Sequence, residues 1–181
     1  TATDVGNVGA PGMTSYGESE TWTLSGAGAD VWGTADAFHF ASREITGDFD
    51  FAAVVTQVEN VHAWTKAGLM MREGFAPGAR HAFILATPTP EKGIAFQGRQ
   101  TNGGSATQVL QLTRGVRSTT PVDLRLTRRG DTINAFVRFD PRRQWLHMGT
   151  LVMTGLPETV EVGLAVSSHV DGALATGHFS C

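Results

Sequence analysis

Cysteine is nearly absent from this chain: of 181 residues only Cys181 carries a thiol, and it stands last. No internal disulfide can form, so the fold rests on its hydrophobic core. Tyrosine is equally rare, with Tyr16 alone. Charged residues make up only 17% of the chain, and the formal net charge is −3. That balance lacks the cationic excess that drives binding to nucleic-acid phosphates, and nucleic-acid partners are not expected. No apolar run approaches the roughly 20 residues that span a bilayer as a helix, so no membrane span is expected. The opening TATDVGNVGAPG has neither the basic start nor the apolar block of a secretion signal. The chain therefore reads as a processed form or a module of a longer protein.

Reaction motifs are missing as well. The six histidines include no H-x-x-x-H spacing and there is no C-x-x-C, so a zinc site is not expected. There is no G-x-S-x-G elbow and no phosphate loop. Glycoside hydrolysis needs two carboxylates flanking a bond, and no such pair stands out. Asp48 and Asp50 in TGDFDF share a parity. They are the candidates for a structural Ca²⁺, but calcium wants six or more oxygens, and a turn cap explains the pair more simply.

What the chain has is glycine, 22 residues of it, and turn sequences at short intervals: SGAG at 25–28, APGAR at 76–80, TNGGS at 101–105 and DPRR at 140–143. Runs of five to nine residues rich in Val, Ile, Phe, Thr and Leu lie between them. Such spacing indicates an all-β sandwich or barrel. In VDLRLTRRGDTINAFVRFD, Val122, Leu124 and Leu126 point one way, a tight turn follows, and Ile133, Ala135, Val137 and Phe139 return on one face. The expectation is one domain over 1–181, an antiparallel two-sheet β-sandwich, with 1–12 as a flexible Gly-rich lead-in.

The stretch HAWTKAGLMMRE at 62–73 sharpens the functional question. With Leu69 and Met71 inward, Thr65 and Ala67 share the core face, while Trp64, Lys66, Gly68, Met70 and Arg72 face outward. The same period puts Gln97 and Arg99 outward from GIAFQGRQ, and His169 outward from TVEVGLAVSSH. In DAFHFAS it puts Phe38 and Phe40 inward and His39 outward. Gly68, Gly163 and Ala165 lie among the outward residues as a floor with room above it. Long donors around a small-residue floor can hydrogen-bond hydroxyls or carboxylates, and Trp64 or Trp32 can stack on a sugar ring. Taken singly, each of these residues also suits a plain solvent face. Their shared parity over four runs is what makes a site of them.

The segments LSGAGADVWGTADAFHF, WTKAGLMMRE, HAFILATP, GIAFQGRQ, LRLTRRGDTINAFVRFD and VGLAVSSHVDGALATGHF, in that order, resemble a family of concanavalin A-like β-sandwich modules, accessory domains of secreted bacterial carbohydrate-active and cell-surface proteins. The similarity runs from Tyr16 to Phe179. It implies a jelly roll whose concave sheet takes glycans, with recurring positions at Trp32, Asp36, His39, Trp64, Lys66, Arg72, His81, Gln97, Arg99, Ser168 and His169. The family's D-G-x-x-W turn is here Asp140 to Trp145 with two arginines, a departure that bears on loop-based specificity.

The combined expectation is a non-catalytic carbohydrate-binding module. It is monomeric, secreted or on the cell surface, and part of a larger multidomain protein, with a glycan as partner. Its ligand-binding residues would be Trp32, His39, Trp64, Lys66, Arg72, His81, Gln97, Arg99 and His169. The three cationic residues lean the ligand towards an anionic or densely hydroxylated glycan, whose identity is open. No cofactor is required, with structural Ca²⁺ as an option. Two rivals remain: a lyase or hydrolase using His39, His81 or His169 as base, and an adhesion module with Trp22, Trp145 and Met148 in an exposed patch.

Overall fold

The computed structural model describes residues 1–181. Two seven-stranded sheets lie face to face. The first runs, from edge to edge, β1 (Ala2–Val5), β6 (Phe38–Thr46), β15 (Thr159–Ser167), β8 (Lys66–Arg72), β9 (His81–Ala86), β10 (Ile94–Arg99) and β11 (Thr107–Leu112). The second runs β14 (Leu146–Val152), β13 (Thr132–Arg138), β12 (Val122–Arg129), β7 (Phe49–Val58), β16 (Val170–Ser180), β3 (Thr21–Gly28) and β2 (Met13–Tyr16). A small hairpin, β4 (Val31–Trp32) with β5 (Ala35–Asp36), stands apart from both. Every pairing is antiparallel, as the alternating patterns require.

The β12–β13 hairpin has the predicted register, Leu124 opposite Val137 and Leu126 opposite Ala135. Phe139 falls just beyond the strand end and is 38% exposed rather than buried with Ile133, Ala135 and Val137. The glycine-rich opening is more than a lead-in: it contributes β1 to the sheet edge, and Val5 and Val8 are buried.

The main core fills the space between the sheets. Leu69, Met71, Ile84, Phe96 and Leu164 of the first sheet meet Leu24, Val55, Leu124, Ile133 and Phe179 of the second. Burying each such side chain is worth about 1.5–3 kcal/mol.

A second apolar cluster lies on the outer face of the first sheet, made of Val5, Val31, Phe38, Phe40, Met70, Phe83, Leu85, Ala95 and Ala165. The first sheet is thus buried on both sides, and every residue of β8, β9 and β10 is buried. The sequence showed this in HAFILA, an unbroken apolar run where a one-sided strand would alternate. Assigning one buried face per strand therefore misplaces β6. Phe40 pairs with outward Ala165 and His39 with inward Val166, so the phenylalanines face out and His39 faces the second sheet. The small-residue floor is also closed. A side chain at Gly68 or Gly163 would collide with the backbone of the adjoining strand, and Ala165 lies beneath the phenylalanines.

What covers the outer face is the segment after β3. Gly28 takes φ 118°, and a side chain there would strike the Ala37 carbonyl. Only glycine lets the chain turn this closely and lay β4 and β5 across the sheet.

Candidate functional site

Four of the outward residues do converge, but under the hairpin rather than in the open. β8, β9 and β10 are neighbours, and Arg72, His81 and Arg99 stand in one cross-strand row. Asp36 of β5 descends onto that row. Arg99 donates Nη1 to Asp36 Oδ2 at 2.6 Å and Nη2 to Oδ1 at 2.8 Å, and Arg72 donates Nη1 to Oδ2 at 2.7 Å. Other guanidinium hydrogens stitch down loop carbonyls: Arg99 to Gly33 and Gly104, both at 2.8 Å, and Arg72 to Ala76 at 2.6 Å and Pro77 at 3.0 Å. The Asp36, Arg72, Arg99 and His81 side chains are all 0% exposed.

The electrostatics are those of a structural latch. Burial alone would raise the Asp36 carboxyl, but the Arg99 hydrogen bonds and the charge of Arg72 bring it below the usual range. Burial pushes the His81 imidazole down to about 3, against the pull of Asp36 and with the help of both arginines. His81 Nε2 and Arg72 Nε have no hydrogen-bond partner. The placement of Arg72, His81 and Arg99 thus differs from the open cleft expected for them, because each faces the underside of the hairpin.

The open site lies beside this latch. A pocket of about 390 Å³ is lined by Asp30, Trp32, Trp64, Lys66, Gln108 and His169. Trp32 from β4 is 39% exposed, and Trp64 packs partly against the second cluster. The Lys66 ammonium lies 5.4 Å from the centroid of each indole. Its three hydrogens meet three acceptors: Asp30 Oδ1 at 2.9 Å, Gln97 Oε1 at 3.0 Å and the Val31 carbonyl at 3.1 Å. Burial lowers the Lys66 pKa, with Asp30 opposing. Gln97 is spent in the same way, donating to Val31 O at 2.8 Å. Lys66 and Gln97 therefore organise the pocket wall, and the polar groups left to a ligand are Asp30 Oδ2, His169 and Gln108.

His169 sits in the β15–β16 turn at φ 71°, the left-handed region that few non-glycine residues adopt. Its Nδ1 lies 3.3 Å from Asp30 Oδ2 without hydrogen-bond geometry, and its ring stacks on His62 with centroids 4.2 Å apart. Ser168 ties the same turn through Val170.

His39 lies elsewhere, between the sheets, with Nδ1 2.8 Å from Asp4 and Nε2 2.7 Å from Thr14. The Asp48 and Asp50 carboxylates are engaged separately on the second sheet. Asp48 accepts the Gly130 N–H at 2.8 Å, capping the β12–β13 turn, and Asp50 is held by Arg125. No group of three or more His, Cys, Asp or Glu is gathered as metal ligands would be. Of the adhesion-patch residues, Met148 is buried, Trp22 packs against the core, and Trp145 stacks on Arg138 at 4.2 Å. Asp30 and Gln108 were missed. Asp30 stands two residues before Trp32 in GADVW, which was its only signal, and Gln108 is placed solely by the pairing of β11 with β10.

No protein-family model matches the chain, and no curated protein matches it. Solved structures do. A functionally unknown protein from Saccharomyces cerevisiae is 19% identical over 95% of this chain and 93% of its own, with a TM-score of 0.68. The carbohydrate-binding module CBM66 from Bacillus subtilis is 16% identical over 99% of this chain and 91% of its own, with a TM-score of 0.58. The Bacillus licheniformis β-glucanase is 11% identical over 98% of this chain and 86% of its own, with a TM-score of 0.56. The fold is thus the concanavalin A-like jelly roll.

Proposed function

We propose that the protein is a non-catalytic carbohydrate-binding module that holds a neutral, hydroxyl-rich sugar residue in the pocket between Trp32 and Trp64. The pocket itself carries this reading: two indoles flank a space of about 390 Å³ whose open polar groups are a carboxylate, an amide and an imidazole. Indole faces bury the CH surface of a pyranose or furanose ring, and Asp30 Oδ2 accepts from its hydroxyls. The CBM66 module shares the fold, which favours the same use.

The lean towards an anionic glycan is replaced. Arg72 and Arg99 are sealed on Asp36, and the Lys66 hydrogens are occupied. A carboxylated sugar would meet Asp30, and no cation with free hydrogens lines the pocket; Lys92 lies outside the lining, 5.4 Å from the Trp64 ring. Binding is favoured over hydrolysis because a single carboxylate lines the pocket, whereas hydrolysis uses two. Placement on a secreted or cell-surface protein, as one module of several, belongs to the same proposal.

A glycan array on the whole chain, followed by titration calorimetry, tests it. The expected result is 1:1 binding of a neutral oligosaccharide, lost in Trp32→Ala, with no product released. Binding that is unchanged in Trp32→Ala, or confined to uronate-bearing glycans, overturns it.

A further inference from the structure

A second cavity is larger than the glycan pocket. It is a slot of about 600 Å³ between the two sheets, at the flank where β6 and β15 face β3 and β7. Its walls are the inner faces of both sheets: Val162 and Leu164 on one side, Trp22, Phe49 and Phe51 on the other. Ala41 of β6 lines the slot opposite Leu164 and contributes only a methyl group to it. A volume of this size with apolar walls lies within the range of small-molecule sites.

One charged group stands apart in that lining. Arg43 pairs with Val162 across the β6–β15 ladder, so it starts from the inner face of an otherwise apolar strand pair, and its side chain reaches solvent at the slot. No carboxylate answers it. Asp50, the one acidic side chain of the lining, is held by Arg125 through both oxygens, and Glu161 on the opposite face of the sheet accepts from Ser42. Inward-facing arginines elsewhere in the protein are tied down, Arg128 by the carbonyls of Gly130, Leu156 and Glu158. Arg43 alone combines an apolar slot with an uncommitted guanidinium.

We propose that this slot binds a single-chain anionic amphiphile of the free fatty acid class, its hydrocarbon tail between the sheets and its carboxylate on Arg43. Burial of apolar chain surface supplies the affinity. The guanidinium supplies the choice of head group, since its planar fork matches a carboxylate. The site is independent of the pocket at Trp32 and Trp64, which lies on the other face of the first sheet.

The test is titration of the whole chain with dodecanoate, dodecanol and dodecyltrimethylammonium below their aggregation concentrations, with sedimentation to fix the oligomeric state. Cys181, the only cysteine and part of the slot lining, reports occupancy through its rate of alkylation. One dodecanoate per chain is expected to bind, to slow Cys181 alkylation, and to exceed dodecanol by about fivefold, the weight of one exposed charge pair. Arg43→Gln should erase that preference while leaving dodecanol unchanged. Ala41→Trp should block both ligands, and should be read beside its melting temperature. Equal affinity for the acid and the alcohol in the unaltered protein overturns the proposal. So does failure of all three probes to protect Cys181, or a dimer that covers the slot. Should Ala41→Trp fail to fold, the Arg43→Gln comparison and the Cys181 protection still decide the matter.

Discussion

Arg99 grips Asp36 with both terminal nitrogens, Nη1 to Oδ2 at 2.6 Å and Nη2 to Oδ1 at 2.8 Å, in a place no solvent reaches. The pair spans β10 and β5, and so fastens the small hairpin to the sheet beneath it. Arg72 shares the same carboxylate.

Removing that carboxylate strands two guanidiniums in the interior. Breaking a buried pair by deleting one partner typically costs about 3–5 kcal/mol, because the remaining charge is left uncompensated. Asp36→Asn is therefore expected to lose stability of that order in urea unfolding. It should also raise amide exchange across Val31–Asp36. A loss below about 1 kcal/mol would mean the latch is ornamental.

His81 makes stability depend on pH. Its folded-state pKa is about 3, because burial and the two arginines oppose its charge, while an unfolded histidine titrates near 6.5. As pH falls below 6.5 the unfolded chain takes up a proton that the folded one refuses. Stability therefore drops through this window, by roughly 2 kcal/mol between pH 6.5 and 5 from this group alone. The depressed Asp36 carboxyl contributes only further down, near and below its ordinary value of 3.8. Urea midpoints of the unaltered protein and His81→Gln, measured at pH 7, 6 and 5, separate the effect. Parallel pH profiles for the two would sink it.

The division between latch and pocket predicts opposite phenotypes. Trp32 is 39% exposed, so Trp32→Ala should leave the melting temperature within a few degrees while weakening glycan binding by about 1 kcal/mol or more, the usual weight of an aromatic contact beyond its area. Arg99→Ala should unfold the protein readily, and any binding it loses would follow its stability. Calorimetry and thermal melts on the same two variants provide the comparison. Trp32→Ala destabilised as much as Arg99→Ala would erase the distinction.

The two-sheet architecture was legible because alternation is a local property: Leu124 and Leu126 against Arg125 and Thr127 need no knowledge of the rest of the chain. The convergence of Lys66, Arg72, Gln97 and Arg99 was legible for the same reason, once β8 and β10 were placed in one sheet. What local pattern could not show was that a separate hairpin lies over that face. The apolar run in β9 was its one trace; the outward turn of Phe38 and Phe40 emerged only from the strand pairing. Asp30, which answers Lys66 from a loop more than 30 residues away, has no periodicity to betray it. A lysine or arginine on an outward strand position looks the same in sequence whether it meets water or a carboxylate from elsewhere in the chain.

Lys66 tests whether the pocket is preorganised by its own cation. The ammonium joins Asp30, Gln97 and the Val31 carbonyl, and lies equally close to both indoles. Lys66→Met keeps the apolar stem and deletes the charge. Asp30 is a quarter exposed, so its carboxylate can turn to water, and Val31 O keeps the Gln97 Nε2 donor, while Gln97 Oε1 is left without a donor beneath the hairpin. The expected cost is about 1–3 kcal/mol, that of unsatisfied buried polar groups rather than of an isolated buried ion. Glycan affinity should fall together with it, because β4 loses its one direct side-chain tie to β8, Lys66 Nζ to the Val31 carbonyl, and Trp32 loses a neighbouring cation. Glutamine at this position retains a donor but lacks the reach and the charge, and should not restore binding. If Lys66→Met bound glycan as tightly as the unaltered protein, the two tryptophans would be held in place without it, and the ammonium would have no part in shaping the pocket.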